Sequence, residues 1–127
     1  MALLLTMATM LVPSTEQNVV EARRLTVGPP IVRQCKRMGH STRTCWRWWR
    51  VVRPYRSWLE RTARCESGGR WYISTGNGFY GGLQFTLSSW RAVGGWGYPH
   101  NAGKLEQMYR GVRLLWLQGR GAWPVCG

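Results

Sequence analysis

The segment from Cys65 to Phe85 is the feature that most constrains the fold of this chain. It holds six glycines and five aromatic residues among small hydroxyl and amide side chains. Glycine ends helices and weakens strands, so no long regular element can run through the segment. A single carboxylate, Glu66, stands at its start. This composition is typical of a sugar-binding cleft with an acid at its edge.

A helix is predicted before this segment, because apolar residues recur at helical spacing from residue 56 to residue 64. Ser57, followed three residues later by Glu60, predicts a capping box at its start. The pair Gly68 and Gly69 predicts its end. Glu66 is therefore expected in the last turn of the helix.

The elements after this helix are expected to be short. Two aromatic runs, at residues 71–73 and 79–80, flank an Asn-Gly pair at residues 77–78, which predicts a short, irregular β-hairpin. Thr86 predicts the cap of a short helix, and an apolar stripe predicts a last helix over residues 102–118. The predicted fold class is a small α+β domain, mainly helical, with one short β-hairpin.

Length and charge narrow the class of protein. A chain of 127 residues holds one domain at most. Its formal net charge of +13 comes from 18 Lys and Arg against five acids, none of them aspartate. Such a balance attracts polyanions, which are wall polymers or lipid headgroups outside a cell and nucleic acid inside it. The basic residues crowd one segment: Arg33, Lys36, Arg37, Arg43, Arg47, Arg50, Arg53 and Arg56.

The first 56 residues divide into two segments by composition. Residues 1–22 begin with an apolar stretch too short to span a bilayer, and we interpret them as a signal peptide or a disordered tail. Residues 23–56 contain the breaker Gly28-Pro29-Pro30 and then tryptophans interleaved with arginines, so we interpret them as a basic, Trp/Arg-rich linker. The tryptophans suit a membrane or wall interface, could stack on bases, or could pack on the domain.

Four cysteines indicate an oxidising compartment. Cys35 and Cys45, both before the glycine-rich segment, could form a disulfide. Together with His40 they could also offer three ligands to zinc, although their spacing is not that of a metal site. The sequence leaves both readings of this pair open.

Six blocks of sequence, spread over residues 58–126, resemble the catalytic domain of the resuscitation-promoting factors, a small lysozyme-like family that acts on peptidoglycan. The resemblance implies a lysozyme-like catalytic domain over residues 57–127 and a disulfide between Cys65 and Cys126, with two free buried thiols as the alternative for that pair. It also implies a secreted or cell-wall-associated protein. The blocks are Trp58, Cys65–Gly69, Thr75–Gly78, Tyr80–Phe85, Ser89–Trp90 and Gly121–Cys126.

Glu66 is expected to act alone. Cleavage of a glycosidic bond usually needs two carboxyl groups, but Glu60 points about 240° away around the helix and Glu106 lies in the last helix. A single acid is enough where the substrate supplies its own nucleophile, as in lytic transglycosylases, so we predict that Glu66 is the general acid and base. This role needs a raised pKa, which the neighbouring Arg64 and Arg70 would oppose.

Polar and aromatic side chains of the glycine-rich segment suit the edges and faces of sugar rings. No metal and no cofactor are expected. The aromatic residues Trp58, Phe85, Trp90 and Trp123 are expected in the core instead. The predicted substrate-binding residues are Gln84, Ser89, Asn77, Tyr80 and Trp71.

The resemblance and the lone acid together predict a muralytic enzyme that cleaves the β-1,4 bond between MurNAc and GlcNAc in peptidoglycan, as a lytic transglycosylase or a lysozyme-like hydrolase, in wall remodelling or resuscitation. The alternatives are a non-catalytic peptidoglycan-binding protein and a phage-borne wall-penetrating lysin. The expected partners are glycan strands, a cell-wall peptidase, and an anionic wall polymer or membrane surface at residues 33–56. No specific nucleic acid is expected.

Overall fold

The computed structural model describes residues 14–127, so most of the predicted signal peptide or tail (residues 1–22) lies outside the described residues. No helix in residues 14–127 is long and apolar enough to cross a bilayer. Single 3₁₀ turns lie at Arg53–Tyr55, Pro99–Asn101 and Arg120–Ala122. The α-helices in this part of the chain are α1 (Thr15–Thr26), α2 (Pro30–Arg37), α3 (Thr42–Val52), α4 (Arg56–Ser67), α5 (Leu87–Ala92) and α6 (Lys104–Gln118).

Helix α6 is the centre of the structure, since α2, α3 and α4 all pack against it. Leu105, Met108 and Val112 on its inner face are buried. A glycine in the same helix, Gly111, lets the chain around Leu83 come close: a Cβ at position 111 would lie 2.5 Å from Leu83 Cδ1. The glycine-rich segment therefore sits directly on α6.

The sequence predicts a linker over residues 23–56. This segment holds the helices α2 and α3, each of which buries one face. Trp48 and Trp49 are only 5% and 9% exposed, and Trp48 stacks on Tyr109 of α6 at 5.6 Å between ring centroids. Of the three interpretations of these tryptophans, packing on the domain is the one observed. Cys35 and Cys45 form a disulfide, so the zinc reading of this pair is wrong. The domain boundary at residues 56 and 57 stays a prediction.

The predicted β-hairpin does not form regular strands. Residues 74–85 make two isolated antiparallel bridges instead, one between Ser74 and Tyr80 and one between Tyr80 and Phe85. The domain is thus mostly helical with almost no strand. The physical reason is that left-handed glycines turn the backbone before a ladder can extend. These glycines are Gly76, Gly78 and Gly81, with φ of 78°, 86° and 78°.

Two of the three helix ends predicted from capping residues are confirmed. Gly68 ends α4 in the left-handed conformation, with φ of 67°, as predicted. Thr86 caps α5 by accepting a hydrogen bond from a backbone N–H. The predicted capping box of α4 is wrong, because the helix begins at Arg56 without a side-chain cap. Glu60 pairs with Lys104 at 2.6 Å instead, which links α4 to the start of α6.

Candidate functional site

Glu66 lies in the last turn of α4, half-buried at the edge of the glycine-rich segment. Burial raises the pKa of this carboxyl group, because a buried carboxylate loses hydration. Neither Arg64 nor Arg70 forms an ion pair with it within residues 14–127. The Nε of Arg70 donates instead to the carbonyl of Ser67 at 2.7 Å. The opposing effect expected from these arginines is therefore outweighed by burial.

Two other carboxylates of the domain are committed to cations. Glu60 accepts from Lys104, and Glu106 accepts from Arg110 at 3.2 Å in the next turn of α6. Glu66 is half-buried and has no cation partner in residues 14–127, and burial raises its pKa.

Ser67, the residue after Glu66, anchors the end of α4 to the glycine-rich segment. Its hydroxyl is buried and lies 3.0 Å from the carbonyl of Ala63 and 2.8 Å from the carbonyl of Gly82. It also accepts a hydrogen bond from the backbone N–H of Arg70 at 3.1 Å. Ser67 thereby fixes the backbone beside Glu66 against the Gly81-Gly82 turn.

Gln107 of α6 holds the same turn from the opposite side. The side chain is fully buried, and its Oε1 accepts from the N–H of Gly82 at 3.0 Å. Its Nε2 donates to the carbonyls of Trp71 and Ala102 at 2.8 and 2.9 Å. A polar amide on the otherwise apolar inner face of a helix indicates that it supports a neighbouring segment by hydrogen bonds. Gln107 is not among the site residues predicted from the sequence.

Replacing Gln107 with methionine should destabilise the fold by about 3 kcal/mol, because a buried N–H and two buried carbonyls would lose their partner. The matched control is Gln118→Met, since Gln118 is exposed at the end of the same helix. Urea unfolding followed by circular dichroism measures both. Equal stability of the two variants would show that Gln107 does not support the turn.

Gln84 carries the only positive φ of a non-glycine residue in residues 14–127, at 54°. Its Nε2 donates to the carbonyl of Gly81 at 2.9 Å, and this bond supports the strained backbone. The side-chain oxygen has no hydrogen-bond partner in the described chain and can accept from a ligand. Strain of this kind concentrates at functional sites.

Tyr80 lies in an aromatic cluster beside Gln84. Its ring stacks on His100 at 5.6 Å and meets Tyr98 edge-on at 5.3 Å. Tyr80 and Phe85 also exchange backbone hydrogen bonds at 2.9 and 3.0 Å, which closes the turn that contains Gln84. Tyr80 and Gln84 therefore belong to the same backbone turn.

The other three predicted substrate-binding residues differ in how far their side chains are exposed. Ser89, in the first turn of α5, accepts a hydrogen bond from the Thr86 hydroxyl at 3.0 Å and remains partly exposed. Asn77 is exposed at the tip of the turn, where its Oδ1 accepts from the N–H of Phe79. Trp71 is only 7% exposed and covers Gly82, so it offers little ring surface to a sugar.

A disulfide closes the site at the chain's C-terminal end. Cys65, next to Glu66, is bonded to Cys126. Nearby, the Nε1 of Trp123 donates to the carbonyl of Leu83 at 2.9 Å. The C-terminal segment is thus tied both to the acid-bearing helix and to the glycine-rich segment. Trp123, Phe85 and Trp90 are buried as predicted, whereas Trp58 is only partly buried.

Chemically, the arrangement is a half-buried carboxyl group, that of Glu66, beside a fixed polar turn. Ser67 and Gln107 hold the turn at Gly82 in place. Gln84 and Tyr80 present an amide oxygen and an aromatic ring next to that turn. No group of three or more metal-ligating side chains occurs in the described chain.

Known proteins are similar to this chain in the part that contains the candidate site. The family described as a transglycosylase-like domain matches residues 54–126. The resuscitation-promoting factor Rpf of Micrococcus luteus is 67% identical over 67 residues, which cover 53% of this chain and 30% of that protein. The resuscitation-promoting factors RpfE and RpfA of Mycobacterium tuberculosis are 57% identical over 65 residues and 55% identical over 71 residues. These matches cover 51% and 54% of this chain, and 38% and 17% of the two relatives.

Proposed function

The chain belongs to the transglycosylase-like domain family together with the resuscitation-promoting factors, and we propose that it is a muralytic enzyme that cleaves the β-1,4 bond between MurNAc and GlcNAc in peptidoglycan. The observation that carries this proposal is the state of Glu66. It is a half-buried carboxyl with a raised pKa and no cation partner in residues 14–127, at the edge of a glycine-rich turn. A glycosidic leaving group needs such a proton donor.

The proposed reaction uses Glu66 twice. As the neutral acid it donates its proton to the glycosidic oxygen while the bond to the anomeric carbon breaks. As the resulting carboxylate it then accepts a proton from the attacking hydroxyl. In a lytic transglycosylase that hydroxyl is the 6-hydroxyl of the same muramic acid, and in a hydrolase it belongs to water. Within residues 14–127 the site holds no second unpaired acid, since Glu60 and Glu106 form ion pairs, and this favours the first route.

We propose that substrate contacts come from Gln84, Tyr80 and Ser89, with Asn77 at the rim. Gln84 offers a side-chain oxygen to a sugar hydroxyl or amide, and Tyr80 offers an aromatic ring to the apolar face of a sugar. Trp71 acts mainly by packing over Gly82, which holds the turn in place. Replacing Tyr80 should therefore weaken substrate binding more than replacing Trp71 does.

The raised pKa of Glu66 predicts two pH trends. Activity should fall as pH rises through that pKa, because the proton donor is lost. Between the unfolded and the folded pKa of Glu66, the folded state holds a proton that the unfolded state has released. The stabilisation that this proton provides is complete below the unfolded pKa and is lost as pH rises through the folded pKa. Urea unfolding of the wild type and of Glu66→Gln at a series of pH values measures it. The stability of wild type relative to the variant should fall with rising pH, and a rise would contradict the assignment.

Incubation with insoluble peptidoglycan separates this proposal from a non-catalytic binding protein. The enzyme should release soluble muropeptides from the sediment, whereas a binding protein would sediment with the wall and release none. The matched regions span less than half of each of these three relatives. We therefore also propose a role in resuscitation, a cell-wall peptidase partner and a secreted or wall-associated location. We assign the cleavage to residues 57–127.

A further inference from the structure

Three arginines form one stripe along the solvent side of α3. Arg43, Arg47 and Arg50 are spaced by four and three residues and are all exposed. At 100° per residue they fall within about 60° of one another, and they span about 10 Å along the helix axis. Cys45, Trp48, Trp49 and Val52 occupy the opposite, buried face. The burial of these apolar residues against the core fixes which way the stripe points.

No acid neutralises this stripe. The chain has only five acidic residues, and all of them lie in the described part. Glu21 lies near Arg24, Glu60 pairs with Lys104, and Glu106 contacts Arg110 and His40. The other two are Glu16 in the first turn of α1 and Glu66 in the candidate site. Within residues 14–127 the three arginines of the stripe make no ion pair and no side-chain hydrogen bond.

The surroundings of the stripe favour a linear polyanion over a lipid bilayer. A helix that lies in a membrane interface needs exposed apolar side chains beside its charges. Among the described residues, the exposed large hydrophobic side chains lie outside residues 42–56. Trp48 and Trp49 are buried, and Trp46, which flanks the stripe, is partly buried against the core. The two disulfides indicate an oxidising compartment, where nucleic acid is not the usual polyanion.

We propose that the stripe of Arg43, Arg47 and Arg50 binds a linear, phosphate-bearing polymer of the cell wall. The guanidinium group matches phosphate oxygens with paired N–H donors, and a single file of three such groups fits a chain better than a flat surface. Such binding would hold the enzyme on the wall while Glu66 acts elsewhere. The choice of a wall polymer rests on the proposed function, but the stripe itself does not.

The test compares two triple variants that lose the same charge. R43Q/R47Q/R50Q removes the stripe, and R23Q/R91Q/R113Q removes three exposed arginines outside it. Binding is measured against long-chain inorganic polyphosphate over a range of salt concentrations, and against walls before and after chemical removal of their phosphate polymers. The stripe variant should bind polyphosphate on the order of 50-fold more weakly at about 0.15 M salt, because each contact contributes a salt exponent of about 0.7. Its salt exponent should fall by about 2, and the control should change far less.

Each other outcome overturns the proposal. Equal losses in the two triple variants would mean that net charge alone binds the polymer. Stripe-dependent binding that is tighter to vesicles of phosphatidylglycerol and phosphatidylcholine, or to single-stranded DNA, would assign the stripe to a membrane or to nucleic acid. If the difference in wall binding between the wild type and the stripe variant survived removal of the phosphate polymers, those polymers would be excluded as the ligand of the stripe. Glu66→Gln should bind like the wild type, so failure of the cleavage proposal would leave this binding result intact.

Discussion

Replacing Glu66 with glutamine should lower the rate of muropeptide release at least about a hundredfold, which is the scale of a lost general acid. Glutamine keeps the size and shape of the side chain, but its amide group cannot transfer a proton to a glycosidic oxygen. Because Glu66 has no cation partner in residues 14–127, the substitution leaves no unpaired charge behind. The fold should therefore stay intact, and sedimentation with peptidoglycan should persist.

Glu60→Gln is the matched control for this variant. Glu60 lies on the same helix but forms an ion pair with Lys104 of α6. A partly exposed ion pair contributes only about 1 kcal/mol, so this variant should keep most of its activity and lose a little stability. If the two substitutions reduced release equally, Glu66 would have no special part in the reaction.

A second large effect is expected from removing the Cys65–Cys126 disulfide, which should destabilise the domain by about 4 kcal/mol. The bond joins residues 61 positions apart, and a loop of that size confines the unfolded chain strongly in the chain-entropy model. A small domain has little stability to spare. The variant Cys65→Ala/Cys126→Ala, followed by urea unfolding, measures the loss.

The Cys35–Cys45 disulfide provides the comparison, because it closes a loop of only 10 positions. Its removal by Cys35→Ala/Cys45→Ala should cost about 3 kcal/mol in the same model. It should also leave the site in place, whereas loss of the Cys65 bond frees the chain next to Glu66. A larger loss of stability or activity from the Cys35–Cys45 variant would show that the C-terminal bond does not hold the site.

Local signals in the sequence sufficed to predict the position of Glu66 and the ends of two helices. Gly68 ends α4 because glycine adopts the left-handed conformation without strain, and Thr86 caps α5 through its hydroxyl. The position of Glu66 in the last turn of α4 follows from the first of these. Such features depend on residues a few positions apart, so the sequence carries them directly.

Features that depend on distant residues were missed. Gln107 binds Gly82 across 25 positions and Trp71 across 36, and no local pattern encodes those contacts. The predicted hairpin failed because the left-handed glycines produce turns where a regular ladder was expected. The breaker Gly28-Pro29-Pro30 predicts a linker over residues 23–56, yet this segment holds α2 and α3. In α3 the helical period places Cys45, Trp48, Trp49 and Val52 on the buried face.

The most direct test of the central claim is mass spectrometry of the soluble muropeptides that the wild type and Glu66→Gln release from peptidoglycan. The account predicts anhydromuramic ends from the wild type and none from the variant, because a single acid leaves ring closure by the muramic acid 6-hydroxyl as the favoured route. Reducing ends that depend on Glu66 would keep the enzyme but replace the transglycosylase with a hydrolase. No Glu66-dependent product, from protein with both disulfides formed, would contradict the assignment of Glu66 as a catalytic residue.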